Sequence, residues 1–155
     1  MARRLAVAAV LFGASGVGAP GYAQSGPFAG MAGSWHGAGT VALEDGSTER
    51  IRCRAIYAVS GPNMNLSLTC ASDAYKFNLS GNVVAQGSAI SGSWTESSRG
   101  ITGVLQGRGG GGSFQLAASA AGFNANIALS TRGNRQSVSI RADSQFRGAN
   151  ISLSR

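Results

Sequence analysis

The sequence predicts an all-β fold: an antiparallel up-and-down meander of about eight to ten short strands that closes into a barrel, with a two-sheet sandwich as the alternative. Three observations predict it. Apolar and polar residues alternate with period two from about residue 35 to the end. Gly, Asn, Asp and Ser clusters interrupt that alternation at short intervals, so successive strands are joined by brief turns. The chain has 24 glycines and only 12% charged residues, a composition that favours strands and tight turns over helices.

The first 23 residues have a different character. Arg3 and Arg4 precede an apolar run from Leu5 to Phe12, and Gly21-Tyr22-Ala23 places small residues at the positions that define cleavage. This is the layout of a cleavable signal peptide, cut before Gln24. The run is too short to span a bilayer, which takes about 20 apolar residues. The mature protein is therefore expected to be exported, periplasmic or secreted, without a transmembrane segment. Residues 24–32 read as a flexible lead-in, and 33–155 as a single barrel domain.

The strands follow in order. Residues 35–43 form the first, turned by Asp45-Gly46, a strong hairpin signal. Residues 49–59 and 64–71 flank Gly61-Pro62. Residues 75–79 lead into a turn at Ser80-Gly81-Asn82, then 83–86, and Gly87-Ser88 separates these from 89–96. Residues 101–106 run into a glycine-rich hairpin loop at Gly109–Gly112, followed by strands at 114–119, 123–130, 138–142 and 149–153. An outer-membrane barrel is disfavoured because its strands need about 9–11 residues and aromatic girdles.

An exported chain with two cysteines favours their pairing. With Gly61-Pro62 as the loop, Val59 faces Met64, Tyr57 faces Leu66, Ala55 faces Leu68, and Cys53 faces Cys70. Directly opposed residues in a non-hydrogen-bonded pair lie about 4.5–5.5 Å apart, within disulfide reach. A thiolate metal site has no nearby His or further Cys to complete it.

Gly33-Ser34-Trp35, at the start of the first strand, resembles the G-x-W of lipocalins and their calycin relatives. The resemblance implies a barrel in which Trp35 closes one end beneath an arginine from the last strands, for which Arg141, Arg147 and Arg155 are the candidates. A second Gly92-Ser93-Trp94 lies mid-chain, where that family does not require one. The chain is also similar to small exported proteins of alphaproteobacteria, a resemblance that carries no known activity.

Catalytic chemistry finds little support. His36 is the single histidine and lies in no recognisable metal, haem or nucleophile motif. Glu96 shares a strand face with Trp94, so it can reach a barrel mouth as an acid or ligand contact, but no second carboxylate is placed by sequence beside it. Gly107 to Gly112 matches G-x-G-x-x-G formally; a strand rather than a helix follows, so the dinucleotide reading fails. No cofactor, metal or nucleic acid is expected. The candidate interior or ligand-contacting residues are Trp35, Tyr57, Phe77, Trp94, Phe114 and Phe123. Arg50, Arg52 and Arg54 alternate with Ile51 and Cys53, so they project from one face as a candidate anion-binding stripe. The expected function is a non-enzymatic exported barrel that binds a small apolar ligand or an anionic envelope component. The alternative is an interaction or inhibitor module acting through surface arginines and loops.

Overall fold

Alternation builds the wall. The computed structural model describes residues 26–155, so the cleavable segment expected at 1–23 lies outside the described residues. Ten strands follow in chain order: β1 (Gly33–Leu43), β2 (Thr48–Ser60), β3 (Asn63–Ala71), β4 (Lys76–Gln86), β5 (Ala89–Glu96), β6 (Ile101–Gly110), β7 (Ser113–Ala120), β8 (Phe123–Arg132), β9 (Arg135–Ala142) and β10 (Phe146–Ser154). Each pairs antiparallel with the next, and β1 pairs with β10 to close the barrel. Closure leaves no edge strand, which removes the template for edge-to-edge association.

The apolar residue of each alternating pair faces inward. On β2, Ile51, Cys53, Ala55 and Tyr57 are buried while Arg50, Arg52 and Arg54 are exposed. The polar outer surface and apolar interior are the reverse of a lipid-facing barrel. Strand length does not make that distinction, since β2 runs to 13 residues and β1 and β4 to 11.

The β2–β3 hairpin has the expected register: Val59 opposite Met64, Tyr57 opposite Leu66, Ala55 opposite Leu68 and Cys53 opposite Cys70. The two cysteines are joined by a disulfide, with Cα atoms 4.1 Å apart, and both lie on the interior face. The β1–β2 turn is held by Asp45, whose Oδ1 accepts from the Ser47 amide at 2.9 Å and the Ser47 hydroxyl at 2.5 Å. Those two bonds hold its carboxyl below the usual carboxylate range.

Three expectations require correction. Ser80-Gly81-Asn82 is not a turn: β4 runs straight through it. Gly81 faces inward, paired with Leu66 on one side and Trp94 on the other, and Trp94 pairs with a second inward glycine, Gly103. The indole lies over Gly103, where a Cβ would come within 2.9 Å of the ring, while a Cβ on Gly81 would meet the Ser93 carbonyl at 3.1 Å and the Leu66 side chain at 3.4 Å. The glycine signals space for a side chain rather than a chain reversal. Likewise Gly109 and Gly110 belong to β6, and only Gly111-Gly112 make the turn to β7. Finally, residues 26–32 are not a flexible lead-in. Phe28 and Met31 are each 1% exposed, and the domain begins with them.

Candidate functional site

The barrel has two unlike ends. One is reached by the turns that join β2 to β3, β4 to β5, β6 to β7 and β8 to β9, and it is plugged. Phe28 stacks on Phe114 with centroids 5.7 Å apart, and Met31 is buried beside Trp35. The indole Nε1 of Trp35 donates to the Met31 carbonyl at 2.8 Å. Over the same indole lies the Arg155 guanidinium, 4.5 Å from the ring centroid, with Nη1 donating to the Ala32 carbonyl at 2.6 Å. Of the three arginines considered from sequence, Arg155 is the one that covers Trp35. Register decides it: Arg155 is one step beyond the His36–Ser154 pair of β1 and β10.

The other end is a mouth lined by aromatic rings. Phe77 and Phe146 stack at 6.1 Å, Tyr75 and Phe146 at 6.3 Å, and Trp94 and Phe123 meet tilted at 5.6 Å. Arg99 sits at the rim, its guanidinium 4.6 Å from the Tyr75 centroid. Burial raises the Tyr75 hydroxyl pKa, and the nearby Arg99 charge opposes that shift. A recess of about 270 Å³ opens here.

Beneath it lies an apolar cavity of about 90 Å³ lined by Tyr57, Leu66, Leu79, Ala125, Ile127 and Leu129 among others. The rings of Phe77, Trp94, Phe123 and Phe146 border both spaces and form a collar between them. Leu66, Leu79, Ile127 and Leu129 face inward yet are only half-buried, because the cavity leaves part of each unpacked. At the cavity's far end the Tyr57 hydroxyl donates to Gln136 Oε1 at 2.7 Å, and Gln136 Nε2 donates to Thr131 at 2.9 Å. Burial pushes the Tyr57 hydroxyl far above its ordinary pKa, only partly offset by that hydrogen bond.

Glu96 does reach the mouth, and it is 3% exposed. Its Oε1 accepts from the amides of Asn78 at 2.8 Å and Ser98 at 3.2 Å. Its Oε2 accepts from the Arg99 amide at 2.8 Å and lies 3.5 Å from the Arg99 guanidinium. Burial raises its pKa, but the donors from Asn78, Ser98 and Arg99 outweigh burial and hold it below the ordinary value. The carboxylate ties the β5–β6 turn to β4, and its lone pairs are spent on the chain itself.

The six aromatic candidates are all interior, but they divide. Trp35 and Phe114 belong to the plugged end, while Tyr57, Phe77, Trp94 and Phe123 line the cavity. Sequence reading missed Tyr75 and Phe146 at the mouth. A bulge between Ala42 and Leu43 on β1 and their β10 partners shifts the register there, so Phe146 falls outside the alternation of 149–153. His36 is exposed on the outer wall, paired with Arg54 and Ser154. Arg50, Arg52 and Arg54 are exposed on the outer face of β2, as expected from their alternation.

Neither a scan against protein-family models nor a search of curated proteins finds a match. Among solved structures, the chain is similar to the crystal structure of Rv2717c from M. tuberculosis. That likeness has a TM-score of 0.61 at 16% identity and covers 80% of this chain and 91% of that chain. It shows the fold. The likeness to lipocalins stays at the level of a closed antiparallel barrel and the Trp35–Arg155 contact; lipocalins close with eight strands and this barrel with ten. The disulfide fits an exported protein. Among the described residues no helix is long and apolar enough to cross a membrane, which says nothing of a β-barrel.

Proposed function

We propose that this barrel is a non-catalytic exported binding protein for a slender apolar ligand, taken in at the aromatic mouth. The observation that carries the reading is the apolar cavity of about 90 Å³ directly under the collar of Phe77, Trp94, Phe123 and Phe146. Protein interiors are close-packed, and each void forfeits dispersion contacts. A cavity kept open below a set of shared rings is better explained as a seat than as a packing fault. Ordinary small-molecule pockets measure about 300–1,000 Å³. The occupant is therefore the apolar end of a molecule whose remainder rests in the recess of about 270 Å³ at the rim. Rotation of the collar rings joins the two spaces. Since Glu96 is saturated by main-chain donors, it serves as a fixed part of the rim in this reading and not as an acid catalyst.

Titration with Nile red, a neutral apolar fluorophore, tests the proposal. Saturable enhancement at one dye per chain is expected. Ala125→Leu, which fills the cavity with three carbons, is expected to abolish it without lowering the unfolding midpoint. Absence of saturable binding to the unaltered protein, or undiminished binding to Ala125→Leu, would overturn the reading. A hydrolase activity lost in Glu96→Gln would overturn its non-catalytic part.

A further inference from the structure

The charges of this barrel are sorted by position. All six acidic side chains sit at the mouth end: Glu44, Asp45 and Glu49 at the β1–β2 turn, Asp73 and Asp143 in loops, and Glu96 at the end of β5. The arginines gather on one side of the outer wall. Arg50, Arg52 and Arg54 project from β2, and Arg132, Arg135 and Arg141 from β8 and β9, all exposed. The outward positions of β1, β2, β8, β9 and β10 hold no Asp or Glu. On the opposite wall, β3 to β7, the outward cations are Lys76 and Arg108. A uniform solubilising coat would not be one-sided.

Register sets the two arginine groups as banks. Between β2 and β9 lie β1 and β10, whose middle outward pairs are small, Ala38 opposite Ser152 and Thr40 opposite Asn150, with His36 opposite Ser154 toward the plugged end and Arg147 exposed on β10 toward the mouth. Three strand spacings separate the banks by about 14 Å, and arginines two residues apart repeat every ~6.7 Å along β2. Open recesses flank this floor, one lined in part by Ala38, Arg50 and Arg52 and the other by Arg132, Arg135, Ser137, Ser152 and Ser154. The first ends at the mouth side on Glu49 and Asp73, so a bound anion is kept toward the plugged end.

We infer that this wall binds an acidic polysaccharide, a single extended chain of carboxylated sugars lying along β1 and β10 between the arginine banks. Guanidinium forks pair with carboxylates, and the Ser, Thr and Asn floor offers hydrogen bonds to sugar hydroxyls. Two other polyanions fit less well. Stacking of successive nucleic-acid bases needs a series of aromatic platforms, and the outward positions of these five strands carry no Phe, Tyr or Trp and a single imidazole, His36. Anchoring in a lipid surface uses inserted apolar side chains, and among the described residues the exposed large apolar ones are Ile56 and, on the opposite wall, Val104. The inference is independent of the interior cavity.

Calorimetric titration of the purified protein with polygalacturonate tests it, with neutral dextran, phosphatidylglycerol vesicles and single-stranded DNA as competing probes. Polygalacturonate is expected to bind saturably and to weaken steeply with added salt, as polyanion contacts do. Replacing Arg50, Arg52 and Arg54 together by Ser is expected to weaken binding about tenfold or more, as is replacing Arg132, Arg135 and Arg141. Arg108→Ser, on the other wall, is expected to change it less than about twofold. All these positions are exposed, and unchanged unfolding midpoints would certify the fold. No polygalacturonate binding, equal binding of dextran, tighter binding of vesicles or DNA, or equal loss from Arg108→Ser would each overturn the proposal.

Discussion

Arg155 lies over Trp35, its guanidinium carbon 4.5 Å from the ring centroid, and the same side chain reaches the Ala32 carbonyl at 2.6 Å. One side chain thus locks the last strand to the first and to the segment that plugs the barrel. A cation over an aromatic face contributes about 0.5–1 kcal/mol at exposed sites, and a charged hydrogen bond about 1.5–3. Arg155→Ala is expected to lower stability by roughly 1–3 kcal/mol, read by urea denaturation followed by tryptophan fluorescence. Arg155→Lys should recover only part, because an ammonium cannot both stack and donate in the same plane.

The plug itself is a second target. Phe28 contributes a ring buried against Phe114, so Phe28→Ala is expected to cost about 3–5 kcal/mol. Ser34→Ala, at an exposed position close by, should stay within about 0.5 kcal/mol. Equal midpoints for the two variants would show that residues 26–32 do not close the barrel.

Reducing the Cys53–Cys70 bond removes a constraint across a 17-residue separation, expected to cost on the order of 3 kcal/mol. Mass spectrometry without reductant should find the two residues joined, and guanidinium unfolding with and without reductant gives the energy. Since both sulfurs face the core, the reduced protein should keep its strand content in far-ultraviolet circular dichroism while unfolding earlier.

Glu96 sets an acid limit. Its carboxylate is held below the ordinary value of about 4.5 by main-chain donors despite burial, so the charged form stabilises the fold. That contribution is complete above pH 4.5 and is lost as pH falls through the lowered native pKa. Glu96→Gln is expected to lose about 1–3 kcal/mol at neutral pH, with an amide N–H aimed at donors. The gap to the unaltered protein should narrow as the solution is acidified. A constant gap from neutral pH to below the lowered pKa would exclude the carboxylate as the source.

Much of this architecture was legible in the chain. Period-two alternation decided which residues face inward, and it did so locally, because successive side chains of a strand must point to opposite sides. Gly61-Pro62 fixed the hairpin register, and register alone brought Cys53 opposite Cys70. Both arguments need only neighbouring residues. Glycine defeated the same logic at Ser80-Gly81-Asn82, because a missing Cβ marks a turn and a place for a large neighbour equally well.

The candidate site was legible only in part. Tyr57, Phe77, Trp94 and Phe123 announced themselves as inward aromatics, but nothing in their spacing separates them from Trp35 and Phe114, which pack into the plug. Phe146 entered through a bulge, where alternation fails, whereas Tyr75 continues the inward alternation of Phe77 and Leu79 and was passed over although it stood in the expected strand at 75–79.

Sequence by itself determined the all-β meander, the inner and outer faces, the β2–β3 register and the arginine stripe on β2, all consequences of short-range periodicity and turn chemistry. Closure into a barrel was the expected fold, and the pairing of β10 with β1 settles it against the sandwich; tertiary structure alone decided that Arg155 rather than Arg141 or Arg147 covers Trp35, and that one end is plugged while the other keeps a cavity under its rings. It also set the arginines of β8 and β9 across a two-strand floor from those of β2. These outcomes depend on which distant strands become neighbours when the sheet curls shut, and that is a property of closure, not of any local run of residues.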